Sequence, residues 1–189
     1  MSSGTVQPIT HDSPIGRLTM AASDVGLTRV STRPARATSG MPGSPAVSRL
    51  LDKARRELDE YFAGERQEFD VPVDLSRVEP PSRAILSHLT SQVGYGRTTT
   101  YGAIAATLAL GSDGPREVGA AMARNPVWIV LPCHRVLGAG GKLTGYAGGL
   151  AVKRWLLDLE SLGQFPQLDL AAGESDVGGL QLLGLAADR

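Results

Sequence analysis

The paired prolines of SRVEPPS at residues 76–82 divide the chain into two stretches with different sequence patterns. Paired prolines among polar residues interrupt helices and strands alike, so we place a domain boundary there. Before the boundary, residues 14–31 alternate in two short runs separated by Asp24 and Gly26, which predicts a β-hairpin with one buried face. With 189 residues and 42% hydrophobic content, the chain is large enough to bury a core in each of two lobes.

The rest of the first lobe combines a helix with a further strand. Apolar residues recur at helical spacing over residues 46–65, with Gly64 as a C-cap signal. EFDVPVDLS at residues 68–76 alternates like a strand. Residues 1–75 are therefore predicted to form a small α/β domain with an antiparallel sheet.

Residues 76–160 are predicted to form a mostly helical second domain, which makes the fold class α+β. TTTYGAIAATLAL at 98–110 and SDGPREVGAAMARNP at 112–126 read as two short helices joined by GSDG, the arrangement of a helix-turn-helix. An αα-hairpin that only packs fits the spacing equally well. WIVLPCHRV at 128–136 follows, and its apolar run is typical of a buried strand.

The second short helix has features that favour an external partner. Gly119 and Ala120 belong to a run of small residues, which lets another helix or a narrow groove of nucleic acid approach closely. Arg116 lies at the N-terminal end, where a cation opposes the helix dipole and has no local reason to be. Residues 76–160 hold nine Lys/Arg and five Asp/Glu, a net charge of +4 that is consistent with a surface facing phosphates.

Composition excludes several classes of protein. No run approaches the roughly 18 apolar residues of a membrane span, and the N-terminus has no apolar signal segment, so we expect a soluble cytoplasmic protein. One cysteine allows no internal disulfide and provides no cysteine pair for a zinc site, and no metal is expected. Residues 161–189 are predicted to be a flexible C-terminal tail.

Cys133 is the only cysteine, and a free cysteine in an apolar run is most often an inert core residue. Its neighbours favour a reactive thiol instead. His134 and Arg135 are costly to bury, so the strand is expected to leave the core there, and nearby cations should lower the pKa of the thiol. To act as a base, His134 would need a bridging water or a turn, because adjacent strand residues face opposite sides.

A histidine base also needs an acceptor to orient its second nitrogen. The candidates are Glu160, Asp158 and Glu117. Glu160 is favoured because it ends the closing helix, just beyond the inward-facing Leu156, whereas Asp158 lies on the far side.

These residues carry a family resemblance. LPCHRVLGAGGKLTGYAGGLAVKRWLLDLE at 131–160 resembles the active-site signature of the O6-alkylguanine-DNA alkyltransferases, also called methylated-DNA–protein-cysteine methyltransferases. The PCHRV pentapeptide followed by GYxGG and KxxLLxxE is highly specific. TTYGAIA and PREVGAAMARNP extend the resemblance, which covers roughly residues 12–160.

The resemblance implies irreversible transfer of an alkyl group from O6-alkylguanine in a flipped-out nucleotide, or from O4-alkylthymine, to the cysteine. The implied catalytic roles are acceptor for Cys133, water-mediated base for His134, its orienter for Glu160 and proton donor to the leaving base for Tyr101. The implied DNA and substrate contacts are Arg116 in the hole left by the flipped base, Gly119 and Ala120 in the minor groove, Asn125 bracing the turn, Tyr146, Ala147 and Gly148 at the pocket, and Arg135.

The implied partner is double-stranded DNA carrying an alkylated guanine, with no membrane and no cofactor, and cooperative self-association on DNA is left open. Two other readings remain. One is a Cys–His hydrolase that acts through an acyl-enzyme. The other is a DNA-binding module that senses alkylated bases without turnover and resembles the alkyltransferase-like proteins, which lack the cysteine. The presence of Cys133 counts against the second.

Overall fold

The computed structural model describes residues 8–34 and 44–162, which form a small N-terminal domain and a helical C-terminal region. The N-terminal domain contains β1 (Ile9–His11), β2 (Leu18–Ala22), β3 (Leu27–Ser31) and α1 (Pro45–Phe62). The C-terminal region contains α2 (Pro80–Gln92), β4 (Thr99–Thr100), α3 (Tyr101–Thr107), α4 (Gly114–Ala123), β5 (Val136–Leu137) and α5 (Leu150–Leu162). The predicted α+β class is confirmed. The tail predicted at 161–189 begins too early, because Ser161 and Leu162 belong to α5; its remaining residues, 163–189, lie outside the described residues.

The predicted hairpin forms β2 and β3 of an antiparallel sheet in the order β1-β2-β3. Met20 of β2 lies opposite Ile9 of β1 and Val30 of β3, and it is fully buried. The turn closes with a hydrogen bond from the backbone N–H of Ser23 to the carbonyl of Gly26 at 2.9 Å. Since side chains alternate along a strand, one face of this sheet is apolar and packs on α1.

Helix α1 follows the signals at its two ends. The Ser44 hydroxyl accepts the backbone N–H of Val47 at 3.3 Å, and Pro45 occupies the first turn, where its missing N–H costs nothing. Gly64, just past the end, has a φ of +72°, the left-handed conformation that glycine adopts without steric penalty. One stripe of the helix is buried: Val47, Leu51, Ala54, Glu57, Leu58, Tyr61 and Phe62.

The strand predicted at residues 68–76 is wrong. Only Val73 pairs, in a single bridge with Leu27. The segment cannot form a regular ladder, because Pro72 lacks an N–H and the buried Glu57 carboxylate accepts the backbone N–H groups of Asp70 and Val71, each at 3.0 Å. The alternating pattern therefore reflects burial against α1 rather than a sheet.

The active-site strand predicted at residues 128–136 is also wrong. Ile129 has a φ of +74°, Cys133–Arg135 forms a 3₁₀ turn, and only Val136 belongs to a strand, the short β5. The Asn125 side chain replaces the missing ladder: its Oδ1 accepts from Val127 N at 3.0 Å, and its Nδ2 donates to the Leu131 carbonyl at 2.8 Å. The run is apolar because these turns are buried. A buried strand is apolar for the same reason, which explains the wrong prediction.

The same segment joins the two parts of the molecule. Val30 of β3 donates its backbone N–H to the carbonyl of Pro126 at 2.9 Å and accepts from Trp128 N at 2.9 Å. Buried side chains of the N-terminal domain and the C-terminal region form one contiguous core. None of the helices in the described ranges is long and apolar enough to cross a membrane.

Candidate active site

Cys133 lines a cavity of about 520 Å³ between α3, α4 and the loop that precedes α5. Its side chain is buried, with 4% of the residue exposed. Tyr101, Gly119, Tyr146 and Ala147 are among the other residues that line the cavity. The arrangement presents a buried thiol to a space large enough for a nucleobase-sized group.

Burial raises the pKa of the Cys133 thiol from its ordinary value of 9.0 to about 11, although a hydrogen bond from Asn125 and the charge of Lys153 both act to lower it. The expectation of a lowered pKa is therefore wrong, because removal from water outweighs the nearby donors. Asn125 Nδ2 lies 3.0 Å from the sulfur. Cys133 rests as a thiol, so its proton must leave before or during attack.

His134 lies next to Cys133 on the 3₁₀ turn and is fully buried. Its Nε2 is 2.7 Å from Oε1 of Glu160, the orienter that the sequence favoured. Burial lowers the pKa of His134, so the neutral ring donates from Nε2 and keeps the lone pair of Nδ1. Nδ1 has no hydrogen-bond partner within the described ranges. It is the nitrogen that can receive a proton.

Arg135 is buried, not exposed to DNA. Its Nε and Nη2 donate to the two oxygens of Glu160 at 2.8 and 2.9 Å, and its Nη1 donates to the Val93 carbonyl at 2.6 Å. The predictions that the chain leaves the core at His134 and Arg135, and that Arg135 contacts DNA, are both wrong. The carboxylate offsets the cost of burying this cation, since the pair is bidentate and hydrogen-bonded.

Glu160 is ionised despite its position. Burial alone would raise its pKa, but the hydrogen bonds and charges of His134 and Arg135 lower it to about 2. Of the two partners, Arg135 is the permanent cation, and it accounts for the ionised state. A permanent carboxylate on this side of the imidazole stabilises the ring when it takes up a proton.

Two further donors reach Glu160 that the sequence argument missed. The hydroxyl of Tyr61, on α1, donates to Oε1 at 2.7 Å, and the backbone N–H of Gly96 donates to Oε2 at 3.2 Å. Tyr61 is fully buried, and a buried tyrosine hydroxyl needs a partner, which was the available signal. The N-terminal domain therefore helps to hold a buried carboxylate of the C-terminal region.

Lys153 was also missed. Its ammonium is fully buried and donates to the carbonyls of Val136 and Thr144, both at 2.7 Å. These bonds tie the chain after Cys133 to residues 142–149, the cavity loop that precedes α5. Burial lowers its pKa to about 8, while the Cys133 sulfur acts to raise it. Lys153 shares a helix face with Leu156 and Glu160, three and seven positions on, and that spacing was the signal in the sequence.

The cavity loop depends on a glycine. A Cβ atom at Gly148 would lie 2.9 Å from Cε1 of Tyr146 and 3.0 Å from Cζ3 of Trp128. Gly148 does not itself line the cavity but packs against the Tyr146 ring. The Tyr146 hydroxyl is buried without a hydrogen-bond partner in the described ranges. Gly148 is therefore needed for close packing that aims Tyr146 into the cavity.

The predicted pair of short helices, α3 and α4, pack against each other. Thr100 caps α3 by accepting Ala103 N at 3.1 Å. The Arg116 side chain is 89% exposed and forms one weak ion pair, from Nη1 to Oδ1 of Asp113 at 3.2 Å. Arg116 therefore has a local partner that the sequence argument did not foresee. Ala120 lies one position beyond the cavity-lining Gly119.

Comparison with known proteins adds three findings. Residues 81–162 match the DNA-binding domain of 6-O-methylguanine DNA methyltransferase, and residues 9–75 match its ribonuclease-like domain. A methylated-DNA–protein-cysteine methyltransferase of Mycobacterium tuberculosis is 45% identical over 157 residues, which cover 80% of this chain and 90% of that protein. A DNA base-flipping protein of Thermus thermophilus is 38% identical over 149 residues, covering 78% and 95%.

Solved structures agree with these matches. The crystal structure of Mycobacterium tuberculosis OGT in complex with DNA superposes with a TM-score of 0.71 at 40% identity. The match covers 81% of this chain and 91% of that one.

Proposed function

The chain belongs to the methylated-DNA–protein-cysteine methyltransferase family and repairs DNA by transferring an alkyl group to a cysteine, and from that premise we propose that Cys133 takes the group from O6-alkylguanine. O4-alkylthymine is a further proposed substrate. The observation that carries the proposal is the position of the chain's only cysteine on a cavity wall, directly before the buried His134–Glu160 pair. Residues 76–160 form the proposed DNA-binding and catalytic domain, with 1–75 as its support.

The first proposed step activates the thiol. The Cys133 proton passes through a water molecule to Nδ1 of His134, and Glu160 stabilises the resulting imidazolium. Asn125 donates to the sulfur and stabilises the thiolate that forms. A resting pKa of about 11 makes such assistance necessary, because few molecules hold a thiolate at neutral pH without it.

The second proposed step is displacement. The thiolate attacks the alkyl carbon, the C–O bond to the base breaks as the S–C bond forms, and the electron pair goes to the guanine. Tyr101, at the first position of α3, gives the departing base its proton. A positioned acid of this kind contributes on the order of a hundredfold. The thioether has no easy hydrolytic exit, so each molecule acts once.

Access to the lesion requires a flipped nucleotide. We place α4 in the minor groove, with Gly119 and Ala120 allowing close approach and Arg116 filling the gap in the base stack. Extruding a base costs a few kcal/mol, which an intercalated side chain offsets in part. Tyr146 and the backbone of Ala147 would then contact the base inside the cavity.

Localisation and assembly are part of the same proposal. The two named relatives are bacterial proteins, and bacterial DNA lies in the cytoplasm, where we also place this chain. Cooperative self-association on DNA would appear as a Hill coefficient above one in a duplex titration.

A base-flipping module without transfer is the second candidate, supported by the Thermus thermophilus relative with that name. Cys133 distinguishes the two, since only transfer requires a nucleophile in the cavity. A hydrolase would also use Cys133, but it would release its acyl group and turn over repeatedly.

Intact-mass analysis tests the proposal. After incubation with a duplex that contains O6-methylguanine, we expect one added methyl group per protein, on the peptide with Cys133, and no second turnover. Cys133→Ser is the matched control and should stay unmodified while still binding the duplex. An unmodified wild-type protein would contradict transfer, and continued product release from a limiting amount of protein would favour the hydrolase.

A further inference from the structure

A second cavity, of about 330 Å³, lies beside the active-site cavity and shares Arg33 and Ala123 with it. Its walls come from β3 and the residues that follow it, and from the chain that follows α4. The cavity therefore straddles the N-terminal domain and the C-terminal region. Of the residues that line it, only Asn125 takes part in the transfer reaction described above.

Three arginines line this second cavity: Arg29, Arg33 and Arg124. Within residues 8–34 and 44–162, none of the three has a carboxylate within ion-pair distance. Arg29 Nη2 donates to the backbone carbonyl of Arg33 at 3.2 Å. Like charges gathered without a counter-charge repel one another, so the arrangement favours an anion.

Two polar atoms at the same cavity lack partners. The Ser31 hydroxyl and Arg29 Nε are buried and have no hydrogen bond in the described parts of the chain, and Ser31 is only 5% exposed. A buried polar group left unsatisfied costs roughly 1–3 kcal/mol. All the guanidinium N–H groups are donors, and a hydroxyl can donate as well. The ligand that fits is an anion with several acceptor oxygens.

We propose that Arg29, Ser31 and Arg124 bind a backbone phosphate of the duplex that carries the lesion, an inference that rests on the proposed function. A phosphodiester has two free acceptor oxygens, and arginine binds them in a bidentate fashion. The shared wall places this phosphate next to the lesion cavity.

The spacing along α4 fits a duplex. Arg124 follows Arg116 by eight residues, a rise of about 12 Å along a helix. That distance corresponds to between three and four nucleotides at about 3.4 Å each along one strand. A helix in the minor groove would therefore bring Arg124 to the backbone flanking the site at which Arg116 enters the stack. Arg29 would give the N-terminal domain its own contact with DNA.

Salt dependence of binding to an unmodified duplex tests the inference. The variant is Arg29→Gln with Arg124→Gln, and the matched control is Arg49→Gln with Arg56→Gln, two exposed arginines of α1 that remove the same charge. We expect the slope of log Kobs against log salt concentration to fall by about 0.9 in the variant, as for one lost phosphate contact, and to stay near wild type in the control. Equal slopes in variant and control would overturn the proposal.

Two further arms exclude a structural role. The variant should react with free O6-benzylguanine at the wild-type rate, and a parallel loss there would overturn the proposal. Ser31→Ala should weaken duplex binding without lowering the thermal midpoint, because its hydroxyl has no hydrogen-bond partner among residues 8–34 and 44–162.

The phosphate itself can be located. The scan uses Cys133→Ser protein on a duplex whose single O6-methylguanine fixes the register, and one uncharged methylphosphonate linkage is moved stepwise along each strand. The substitution should weaken binding at one linkage, where adding Arg29→Gln and Arg124→Gln causes no further loss. A variant that keeps the Cys133→Ser profile at every linkage would contradict the proposal. The salt measurements use an unmodified duplex and the linkage scan uses Cys133→Ser protein, so neither depends on whether Cys133 accepts an alkyl group.

Discussion

The Glu160 carboxylate is buried in a hydrogen-bonded network, whereas Arg116, near the N-terminal end of α4, is exposed to solvent. Glu160 accepts hydrogen bonds from His134, Arg135, Tyr61 and the backbone of Gly96 at distances of 2.7–3.2 Å, and together they fix its position. Arg116 is 89% exposed and has one weak partner, Asp113. The hydrogen bonds of Glu160 are in place before any substrate arrives, whereas Arg116 is free to gain stronger partners from a molecule that binds.

This difference assigns the reaction chemistry to the buried network and DNA binding to the exposed surface. A preorganised buried network can hold an imidazole and a sulfur in fixed geometry without rearrangement during the reaction. An exposed arginine contributes little to the folded state but is free to enter a nucleic acid. We therefore expect variants of the inner network to change stability and chemistry on any substrate, and variants of the outer face to change only reactions on DNA.

Replacing Glu160 should have the largest effect on stability. Glu160→Gln leaves Arg135 buried without its counter-charge, and breaking a buried pair in this way costs about 3–5 kcal/mol. Urea unfolding measures the change in free energy. Asp158→Asn, two residues away on the same helix and outside the network, is the matched control and should differ little from wild type. A loss below about 1 kcal/mol in Glu160→Gln would break the comparison.

The pH dependence of Cys133 alkylation should reveal that the thiol is buried. Because burial raises the pKa of Cys133 to about 11, the thiolate fraction increases by about tenfold per pH unit over the range below that value. The rate of alkylation by iodoacetamide, without DNA, should therefore keep rising from pH 7 to beyond pH 9. A rate that levels off near the ordinary pKa of a cysteine would show that the site does not hold the thiol protonated. Cys133→Ser supplies the background rate.

Replacing Tyr61 should lower the free energy of unfolding by less than replacing Glu160. Tyr61→Phe removes one hydrogen bond to a buried carboxylate, which we expect to cost about 1.5 kcal/mol in urea unfolding. It should also slow the reaction with free O6-benzylguanine, since Glu160 loses a positioning contact. Tyr95→Phe, whose hydroxyl makes a longer bond to the Leu159 carbonyl at 3.3 Å, is the control. Identical behaviour of the two variants would contradict a role for Tyr61 in positioning Glu160.

The sequence predicted the hairpin, α1 and the pair of short helices, because their periodicity and end signals are local. It also predicted that Glu160 would face His134, since a helix carries it inward past Leu156. The run at 128–136 was misread, because apolar residues in buried turns resemble those in a buried strand. The turn is specified by Asn125, whose side chain acts on residues up to eight positions away.

Other errors arose from long-range pairing. Arg135 was expected at the surface because an unpaired arginine is costly to bury, yet its partner Glu160 is 25 residues away. Tyr61 is 99 residues from the same carboxylate, and no local pattern relates them. The pKa of Cys133 was expected to be lowered, but it is raised by burial, which the neighbouring residues in the sequence did not reveal.

One paired measurement tests the division between inner and outer regions most directly. The rates of Arg116→Ala and Glu160→Gln are determined with O6-methylguanine in a duplex and with free O6-benzylguanine, each relative to wild type. The account predicts that Glu160→Gln slows both reactions by similar factors, and that Arg116→Ala slows the duplex reaction alone. Equal losses on the two substrates in Arg116→Ala would contradict its assignment to base flipping and, with it, the separation of the buried chemistry from the DNA-facing surface.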